Sequence, residues 1–363
     1  MIDDKYVALD VHKSTTSMCV MSSRGEIIDR GVFQTSSQMV ISRVCSVPGR
    51  LHVTFEEGLH AAWLHDLLVP RVVQVLVCDP RKNALVASGS KSDRIDTAKL
   101  CELFRAGSLS PVYHGEASLH PLGHLVRAYG TLVADCTRTR SRLKMLFISR
   151  AIACPGQTLF QAARRQPWLE KLEDPGARFR ASLLFEELDA QVRLRKLART
   201  ALLERTHQYP QTMRLLLSVP GIGSIRAAQL LAIVRTPHRF ASRDRFSKYA
   251  GLKVEVRSSA DWEVGPDHAL RRRARAISTR GLTKDCSRAL KTIFKGAAHT
   301  ASRQGPLVPY YKRLVASGRK PEIARVILAR RLANTVHSIW KRGEQFDIGR
   351  FLSEAAAADR NPS

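Results

Sequence analysis

The chain has 363 residues and a formal net charge of +27, so it is long enough for two or three compact domains and favours a polyanionic partner. Its best apolar run, VVQVLVC at 72–78, is far shorter than the roughly 18 residues of a membrane-spanning helix. The seven cysteines show no zinc-ligand spacing, and the first residues, MIDDKYVALD, carry acids where a secretory signal needs bases. We therefore expect a cytoplasmic, nucleoid-associated protein with reduced thiols, no membrane contact and nucleic acid as its first candidate partner.

The first part of the chain predicts an α/β domain over residues 1–112. Strands are expected at YVALDVH, TTSMCVM and EIIDRGVFQT, followed by a short helix at 37–46 and a strand LHVTFE that ends at Glu56. A helix HAAWLHDLL, a strand VVQVLVCD and a helix from Arg94 to Ala106 complete the pattern. A three-strand meander followed by alternating helix and strand resembles the ribonuclease H fold.

Residues 113–208 change to long amphipathic helices, which predict a coiled-coil helical arm. An apolar seam with spacings of three and four, and with Thr139 in its polar gap, consists of Leu122, Leu125, Tyr129, Leu132, Cys136, Leu143 and Leu146. A second helical run, ASLLFEELDAQVRLRKLARTALLERTHQ, can return antiparallel to the first, or either run can pair with another subunit. An intramolecular hairpin and a dimerising arm are equally open at this point.

Residues 209–352 predict a mostly helical C-terminal domain. Residues 353–363, SEAAAADRNPS, predict a disordered tail. The stretch SVPGIGS at 218–224 lies between two apolar helices and is typical of a helix-hairpin-helix. In that motif Gly221 and Gly223 let backbone N–H groups approach a phosphate at the start of the second helix. A plain helical turn packed into a core is the alternative.

Four acids have the placement that a metal site needs. Asp10 and Glu56 end predicted strands, whereas Asp93 and Asp96 lie at i and i+3, on one face of a helix. Carboxylates that converge in this way can bind two Mg²⁺ ions, which promote phosphoryl transfer. The alternative is that Asp93 caps the helix and Asp96 contacts the helix dipole.

A serine pair follows a strand-like run in GLKVEVRSSADW, at 251–262, where Arg257 flanks it. A serine exposed in such a place can attack a phosphodiester. Serine pairs in loops are common and most are inert, so the residues by themselves do not assign a nucleophile.

Several motifs together resemble, in order and spacing, the IS110 family of insertion-sequence transposases. They are ALDVHK, FEEG, SDRIDTAKL, PGIG, GLKVEVRSS, TRGLTKDCSRALKTIFKGAA and ARVILARRLANTVHSIWKRGEQFD. The resemblance extends over nearly the whole chain. It implies a DEDD transposase with a RuvC-like N-terminal domain, a coiled-coil arm and a C-terminal transposase domain, similar in mechanism to serine recombinases and guided by a structured bridge RNA.

The resemblance also implies residue roles. The catalytic, Mg²⁺-binding acids are identified as Asp10, Glu56, Asp93 and Asp96, with Glu57 as the alternative to Glu56. Ser259, eight residues after Gly251, matches the nucleophile that forms a covalent link to DNA. Ser258 is its alternative, because Ala260 and Val254 stand where the family usually has glycine and proline.

The implied partners are DNA, a structured guide RNA and further copies of the chain in a dimer or tetramer. Phosphate contacts are expected from Gly221, Gly223, Arg257, Arg271, Arg272, Arg273 and Arg275. Two other functions are open: a RuvC-like metal-dependent endonuclease or resolvase in which Ser259 is structural, and an inactive relic that only binds nucleic acid.

Overall fold

The computed structural model describes residues 3–82, 93–115, 117–257, 262–264, 266, 268–272 and 278–360. The chain divides into two compact units, Met1–Ala117 and Ser118–Ser363. The first is a mixed α/β unit and the second is mostly helical, which confirms the predicted fold class at this level. Within the described ranges, no helix is long and apolar enough to cross a bilayer.

The first unit contains a five-stranded sheet with the order β3-β2-β1-β4-β5. Its strands are β1 (Asp4–Val11), β2 (Thr15–Ser22), β3 (Ile27–Gln34), β4 (Arg50–Glu56) and β5 (Gln74–Cys78). The first three pair antiparallel, as a meander, whereas β4 pairs parallel with both β1 and β5. The five predicted strands are thus confirmed, and the carboxyl ends of β1, β4 and β5 lie at one edge of the sheet.

Helices cover both faces of this sheet. The helices α1 (Ser37–Cys45) and α2 (Ala61–Leu68) share a core with Val7 and Leu9 of β1. The helix α3 (Asp93–Arg105) shares a second core with Ala8 of the same strand. Because neighbouring side chains of a strand point to opposite faces, this alternation determines on which face every other residue of β1 lies.

The second unit begins with a helical hairpin made of α4 (His120–Ile148) and α6 (Pro175–Thr206), with the short α5 (Arg165–Leu169) between them. Leu122, near the start of α4, shares a core with Leu202, near the end of α6. Leu143 and Phe185, at the opposite ends of these helices, share another. The two helices are therefore antiparallel within one chain, and pairing of the arm with another subunit stays a prediction.

The predicted apolar seam of α4 is buried over much of its length. Its polar member, Thr139, is fully buried and donates a hydrogen bond from Oγ1 to Glu187 Oε1 of α6 at 3.0 Å. A buried hydroxyl with a partner of this kind is not costly, so the polar position fixes the register of the two helices rather than weakening them.

The remainder of the second unit packs around one long helix, α12 (Pro321–Arg342), whose Leu328, Leu332 and Val336 are fully buried. Its other helices are α7 (Pro210–Leu217), α8 (Ser224–Val234), α9 (Arg243–Tyr249), α10 (Arg288–Ala301), α11 (Val308–Ala316) and α13 (Ile348–Arg360). The strand β6 (Val254–Arg257) pairs with β9 (Ser278–Leu282), and β7 (Trp262–Val264) pairs with β8 (Leu270–Arg272).

The predicted disorder of the tail from residue 353 is wrong for residues 353–360, because α13 continues through them. Phe351 is 5% exposed and Ala355 is fully buried. The alanine run has high helix propensity, and one apolar face of the helix packs against the core, with the Phe351 ring edge-on to Tyr310. Residues 361–363 lie outside the described residues.

Candidate active site

Asp10 and Glu56 lie side by side at the carboxyl edge of the sheet. Leu9 of β1 is in register with Phe55 of β4, so the acids that follow them are neighbours in the parallel pair. Asp10 lies on the same face as Ala8, which packs on the α3 side of the sheet. Glu56 likewise lies on the face opposite that of Phe55, whose ring is buried on the α1 and α2 side. Both acids therefore occupy the sheet face that α3 covers.

The helix α3 runs antiparallel to β1, so that its acidic N-terminus lies toward the same edge. Cys101 Sγ donates to the carbonyl oxygen of Tyr6 at 3.1 Å, and Arg105 Nη1 donates to that of Ser23, in the β2–β3 turn, at 3.3 Å. Asp93 precedes Cys101 by eight residues, and eight residues of helix rise about 12 Å. A β-strand covers the same distance in three to four residues. The backbone of Asp93 is therefore expected to lie level with Asp10.

Asp96 has a buried polar atom, Oδ1, that lacks a hydrogen-bond partner among the described residues. Asp96 lies four residues before Leu100, which is 3% exposed, so it shares the face of α3 that packs on the sheet. A carboxylate oxygen left in this state costs free energy unless a cation or a donor satisfies it. The donor set, carboxylate oxygens only, is the kind that Mg²⁺ prefers.

The predicted four-carboxylate cluster stays a prediction. Among the side chains that the structure describes, no three of His, Cys, Asp or Glu lie close enough together to hold a metal ion. The helix position of Asp93 is described, but its side chain lies outside the described residues. Asp10 itself is one-third exposed and lies 3.3 Å from His12 Nε2.

Glu57, the alternative second acid, is engaged elsewhere. Its Oε2 lies 2.5 Å from His114 Nε2, and the side chain of His114 is only 8% exposed. The His114 ring stacks on that of His65, a residue of α2, with the ring centroids 5.0 Å apart. Glu57 therefore lies on the α2 side and Glu56 on the α3 side, a geometry that favours Glu56 as the partner of Asp10.

Asp79 is an acid at this edge that the sequence interpretation did not single out. It follows β5, whose Cys78 is in register with Glu56, and its side chain is 15% exposed. Burial raises its pKa, but hydrogen bonds from the backbone N–H and the guanidinium of Arg81 outweigh this and lower the pKa below its ordinary value. The signal was available, since each of the three parallel strands has an acid at its last or next-to-last position or directly after it. Its Oδ1 supports the turn at Pro80–Lys82.

The predicted serine nucleophile cannot be placed. Ser258 and Ser259 lie outside the described residues, as do Arg273 and Arg275. Arg257 ends β6 and Arg272 ends β8, with side chains outside the description, whereas Arg271 of β8 is exposed. The serine assignment and the phosphate contacts of these arginines therefore stay predictions.

The glycine turn between α7 and α8 gives its two glycines different roles. Gly221 has φ +84°, and a Cβ built on it would overlap the carbonyl oxygen of Ala297 in α10. Gly223 is the N-cap of α8, with φ −88° and ψ 176°, and a Cβ there would meet nothing within 4 Å. Packing therefore requires Gly221, whereas Gly223 leaves the start of α8 open. A local helix–turn–helix is present, and its contact with DNA stays a prediction.

Arg226 holds this turn against α10 and was not predicted from the sequence. Its Nη1 donates to the carbonyl oxygen of Gly221 at 2.7 Å and to Thr300 Oγ1 at 3.2 Å. Burial lowers the pKa of its guanidinium below the ordinary value. The signal is a basic residue in the first turn of α8, where a helix dipole disfavours positive charge, so a specific contact must compensate.

Two family models match the chain. One, described as a DEDD transposase of the IS110 type, matches residues 7–148, and the other, described as a transposase of the IS116/IS110/IS902 family, matches residues 213–312. The first match includes the four predicted acids, and the second includes the glycine turn and the serine pair. A search of curated proteins gave no significant match.

Proposed function

The chain belongs to the IS110 family of transposases, and we propose that it excises and integrates its insertion sequence by cutting and rejoining DNA strands under the guidance of a structured bridge RNA. Membership of the family identifies DNA as a partner and DNA strand transfer as the general activity. The serine nucleophile, the Mg²⁺ ions and the RNA are parts of the proposal.

The observation that carries the proposal is the edge of the sheet at which Asp10, Glu56 and the N-terminal half of α3 meet. Asp10 and Glu56 are neighbours in register and on one face, and α3 covers that face. The Oδ1 of Asp96 is buried and has no hydrogen-bond partner among the described residues, which supports a cation as its partner. The strand order supports a ribonuclease H-like interpretation of the unit.

In the proposed site, Asp10, Glu56, Asp93 and Asp96 hold divalent cations, with Mg²⁺ as the expected ion. When bound, such ions polarise a phosphodiester and stabilise the charge that develops on its oxygens. The carboxylates supply the negative charge that makes the binding favourable, and the sheet register holds Asp10 and Glu56 in place before substrate arrives. His12, 3.3 Å from Asp10, orients that carboxylate.

Ser259 is the proposed nucleophile. Its hydroxyl oxygen loses the proton and bonds to the scissile phosphorus, while the bond from phosphorus to the leaving deoxyribose oxygen breaks and that oxygen takes up a proton. The phosphoserine ester conserves the energy of the phosphodiester, so attack by another DNA hydroxyl restores Ser259 and rejoins the strands. Because the acids and the serine belong to different parts of the chain, we propose that they meet only in a dimer or tetramer assembled on DNA.

The proposed guide is a structured RNA. The net charge of +27 suits a protein that holds two polyanions at once. Base pairing between RNA and DNA would carry the sequence specificity, and the protein would contact mainly backbone and shape. Gly223 at the open start of α8 and the exposed Arg271 are proposed phosphate contacts.

The test combines purified protein, Mg²⁺, the noncoding RNA that flanks the element, and labelled donor and target DNA. A denaturing gel separates intact DNA, cut DNA and protein–DNA adducts. The variants are Ser259→Ala and Asp10→Asn. Matched controls are Ser258→Ala and Asp29→Asn, since Asp29 lies on β3 and pairs with Arg43 rather than with the site.

The proposal expects an adduct that requires RNA, disappears in Ser259→Ala and Asp10→Asn, and persists in both controls. Loss in Ser258→Ala alone would move the nucleophile by one residue. Cutting without an adduct that survives Ser259→Ala but not Asp10→Asn would identify a metal-dependent endonuclease. Nucleic-acid binding with neither cutting nor adduct would identify a binding relic.

A further inference from the structure

The cap that joins the two helices of the arm contains a cavity of about 390 Å³. The cap comprises residues 149–174, between α4 and α6, and lies between the segments that the two family models match. Cavities of this size are typical of small-ligand sites. The lining residues are Thr158, Arg164, Pro167, Trp168 and Lys171. They combine two cations, one hydroxyl and one aromatic ring.

Within the described residues, neither of the two cations of the cavity has a carboxylate as an ion-pair partner. Other bases of the cap have acidic partners: Arg165 pairs with Asp189 at 2.5 Å and Arg150 with Asp174 at 3.4 Å. Arg164 and Lys171 are exposed, and neither forms an ion pair with a carboxylate within the described residues. Asp174 and Asp189 are thus used on other bases, whereas Glu170 accepts a hydrogen bond from Gln166 Nε2 at 3.1 Å and Glu173 is exposed. Arg164 and Lys171 therefore keep their side chains available to a ligand beside two surface acids.

Aromatic rings accompany the cations. Lys171 Nζ lies 4.2 Å from the centroid of the Trp168 ring, whose orientation is fixed by an edge-on contact with Phe147. A second set lies nearby, where Arg140 and Lys144 stand over the Phe160 ring at 5.3 and 5.8 Å. A cation over an aromatic ring is attracted to the negative ring face, so these contacts hold the cations beside the rings.

The charges of Lys144, from the second set, and of Lys171, from the cavity, both act on the thiol of Cys154. Burial raises the pKa of this thiol, and the two charges act in the opposite direction. Lys144 comes from α4 and Lys171 from the cap, so chain segments on both sides of the thiol contribute bases.

We propose that this cavity binds one unstacked nucleotide of a single-stranded nucleic acid: Lys171 leaves the Trp168 ring, which is 8% exposed beneath it, to share the phosphate with Arg164, and the base takes its place against that ring face. Basic side chains interleaved with aromatic rings suit a sequence-independent single strand, because every base can stack. An acidic peptide would use the cations but not the rings. A duplex keeps its bases stacked and paired, out of reach of the ring. The inference rests on the proposed function only in that the protein handles nucleic acid.

The test measures binding and crosslinking by the full-length protein, not strand cutting, so it can fail independently of the proposed function. The probe is a fluorescent single-stranded 12-mer of uridine, with 5-iodouridine at its centre for photocrosslinking to aromatic residues. The test variant is Arg164→Ala/Lys171→Ala. Its matched control is Arg193→Ala/Lys196→Ala, which removes one arginine and one lysine exposed on α6. A charge-conserving variant, Arg164→Lys/Lys171→Arg, keeps both cations.

We expect the test variant to bind about tenfold more weakly at moderate salt and to lose about 0.7 from the slope of log Kd against log salt, as the loss of one neutralised phosphate on a single strand requires. The control and the charge-conserving variant should bind as wild type. In wild type the crosslink should map to the peptide that contains Trp168. Equal weakening in the control, or a crosslink that avoids the cap, would overturn the inference. Competition by polyglutamate at equal charge would replace the nucleotide with an acidic protein partner.

Discussion

The carboxyl edge of the N-terminal sheet and the glycine turn of the second unit are both proposed to contact nucleic acid. Their residues differ in how far they are packed into a core. At the sheet edge, Asp10 is one-third exposed, and the core on its face of the sheet includes Ala8, two residues earlier on β1. In the turn, Gly221 is packed against the backbone of α10. The side chain of Asp10 is thus partly exposed at the surface, whereas the turn is packed into the core.

This difference teaches that mutations in the two regions report on different properties. A change at the sheet edge should affect the reaction and leave stability nearly unchanged, since surface positions seldom alter stability by more than about 0.5 kcal/mol. A change in the turn should first affect folding. Activity measured on a turn variant is informative only beside a measurement of its stability.

The largest expected effect is that of Asp10→Asn. Replacing a proposed metal-binding carboxylate with a neutral amide should reduce strand cutting roughly a thousandfold or more, while the free energy of unfolding changes by less than about 1 kcal/mol. Single-turnover cutting assays and urea unfolding measure the two quantities. Unfolding of the variant at much lower urea would show that the acid supports the fold, and the comparison would fail.

Gly221→Ala should produce the largest stability effect. The added Cβ would overlap Ala297, and the positive φ disfavours alanine, so we expect a loss of about 2–4 kcal/mol. Gly223→Ala is the matched control, since its Cβ meets open space, and the expected loss is under about 1 kcal/mol. Urea unfolding of both variants measures the difference, and equal losses would contradict the packing role assigned to Gly221.

The second unit should also lose stability in mild acid, because of His337. Its side chain is 5% exposed and packs against Phe240 and Phe246, and burial lowers its pKa below the ordinary value near 6.5. Below that pH the unfolded chain takes up a proton that the folded chain resists, so the free energy of unfolding falls as the pH drops from about 6.5 toward the folded pKa.

Urea unfolding between pH 7.5 and 5 measures this effect of His337. His337→Gln should flatten the part of the pH dependence that belongs to the second unit, even if the variant is less stable at every pH. An unchanged pH dependence in the variant would show that other groups cause it. Acids of the sheet edge would then be as good an explanation as His337 for the fall in the free energy of unfolding at low pH.

The smallest effect concerns the arm, which serves as a reference outside both regions. Asp189 is half exposed and accepts hydrogen bonds from Arg165, which lower the pKa of its carboxyl. Asp189→Asn should cost at most about 1 kcal/mol at neutral pH. Since the pKa is depressed in the folded state, this contribution is present above about pH 4 and is lost as the pH falls through the folded pKa. Thermal unfolding of the two proteins should therefore converge in acid.

Much of the fold follows from local patterns in the sequence. Alternating apolar residues predict β1 to β5, and the three-four spacing of Leu122, Cys136 and Leu143 predicts the face of α4 that is buried. The tail was misjudged because composition alone does not show that Phe351 finds a core to pack against. Helix propensity and a single buried aromatic ring outweigh the polar residues around them.

The candidate site was only partly accessible from sequence. Strand endings identify Asp10 and Glu56, but the choice between Glu56 and Glu57 depends on a contact with His114, 57 residues away along the chain. Arg226 and Gly221 depend on α10 in the same way, since Thr300 and Ala297 are their partners. Contacts between distant segments decide these roles, and periodicity carries no information about them.

The antiparallel hairpin of α4 and α6 begins and ends in the same place, since Leu122 and Leu202 share one core. Its length is therefore a variable that evolution or an engineer can change without moving either end. Removing one heptad from each helix would shorten the arm by about 10.5 Å and keep the apolar seam in phase. The length of the arm thus sets the distance between the cap at its tip and the core at its base, and this distance can change without a change in the core.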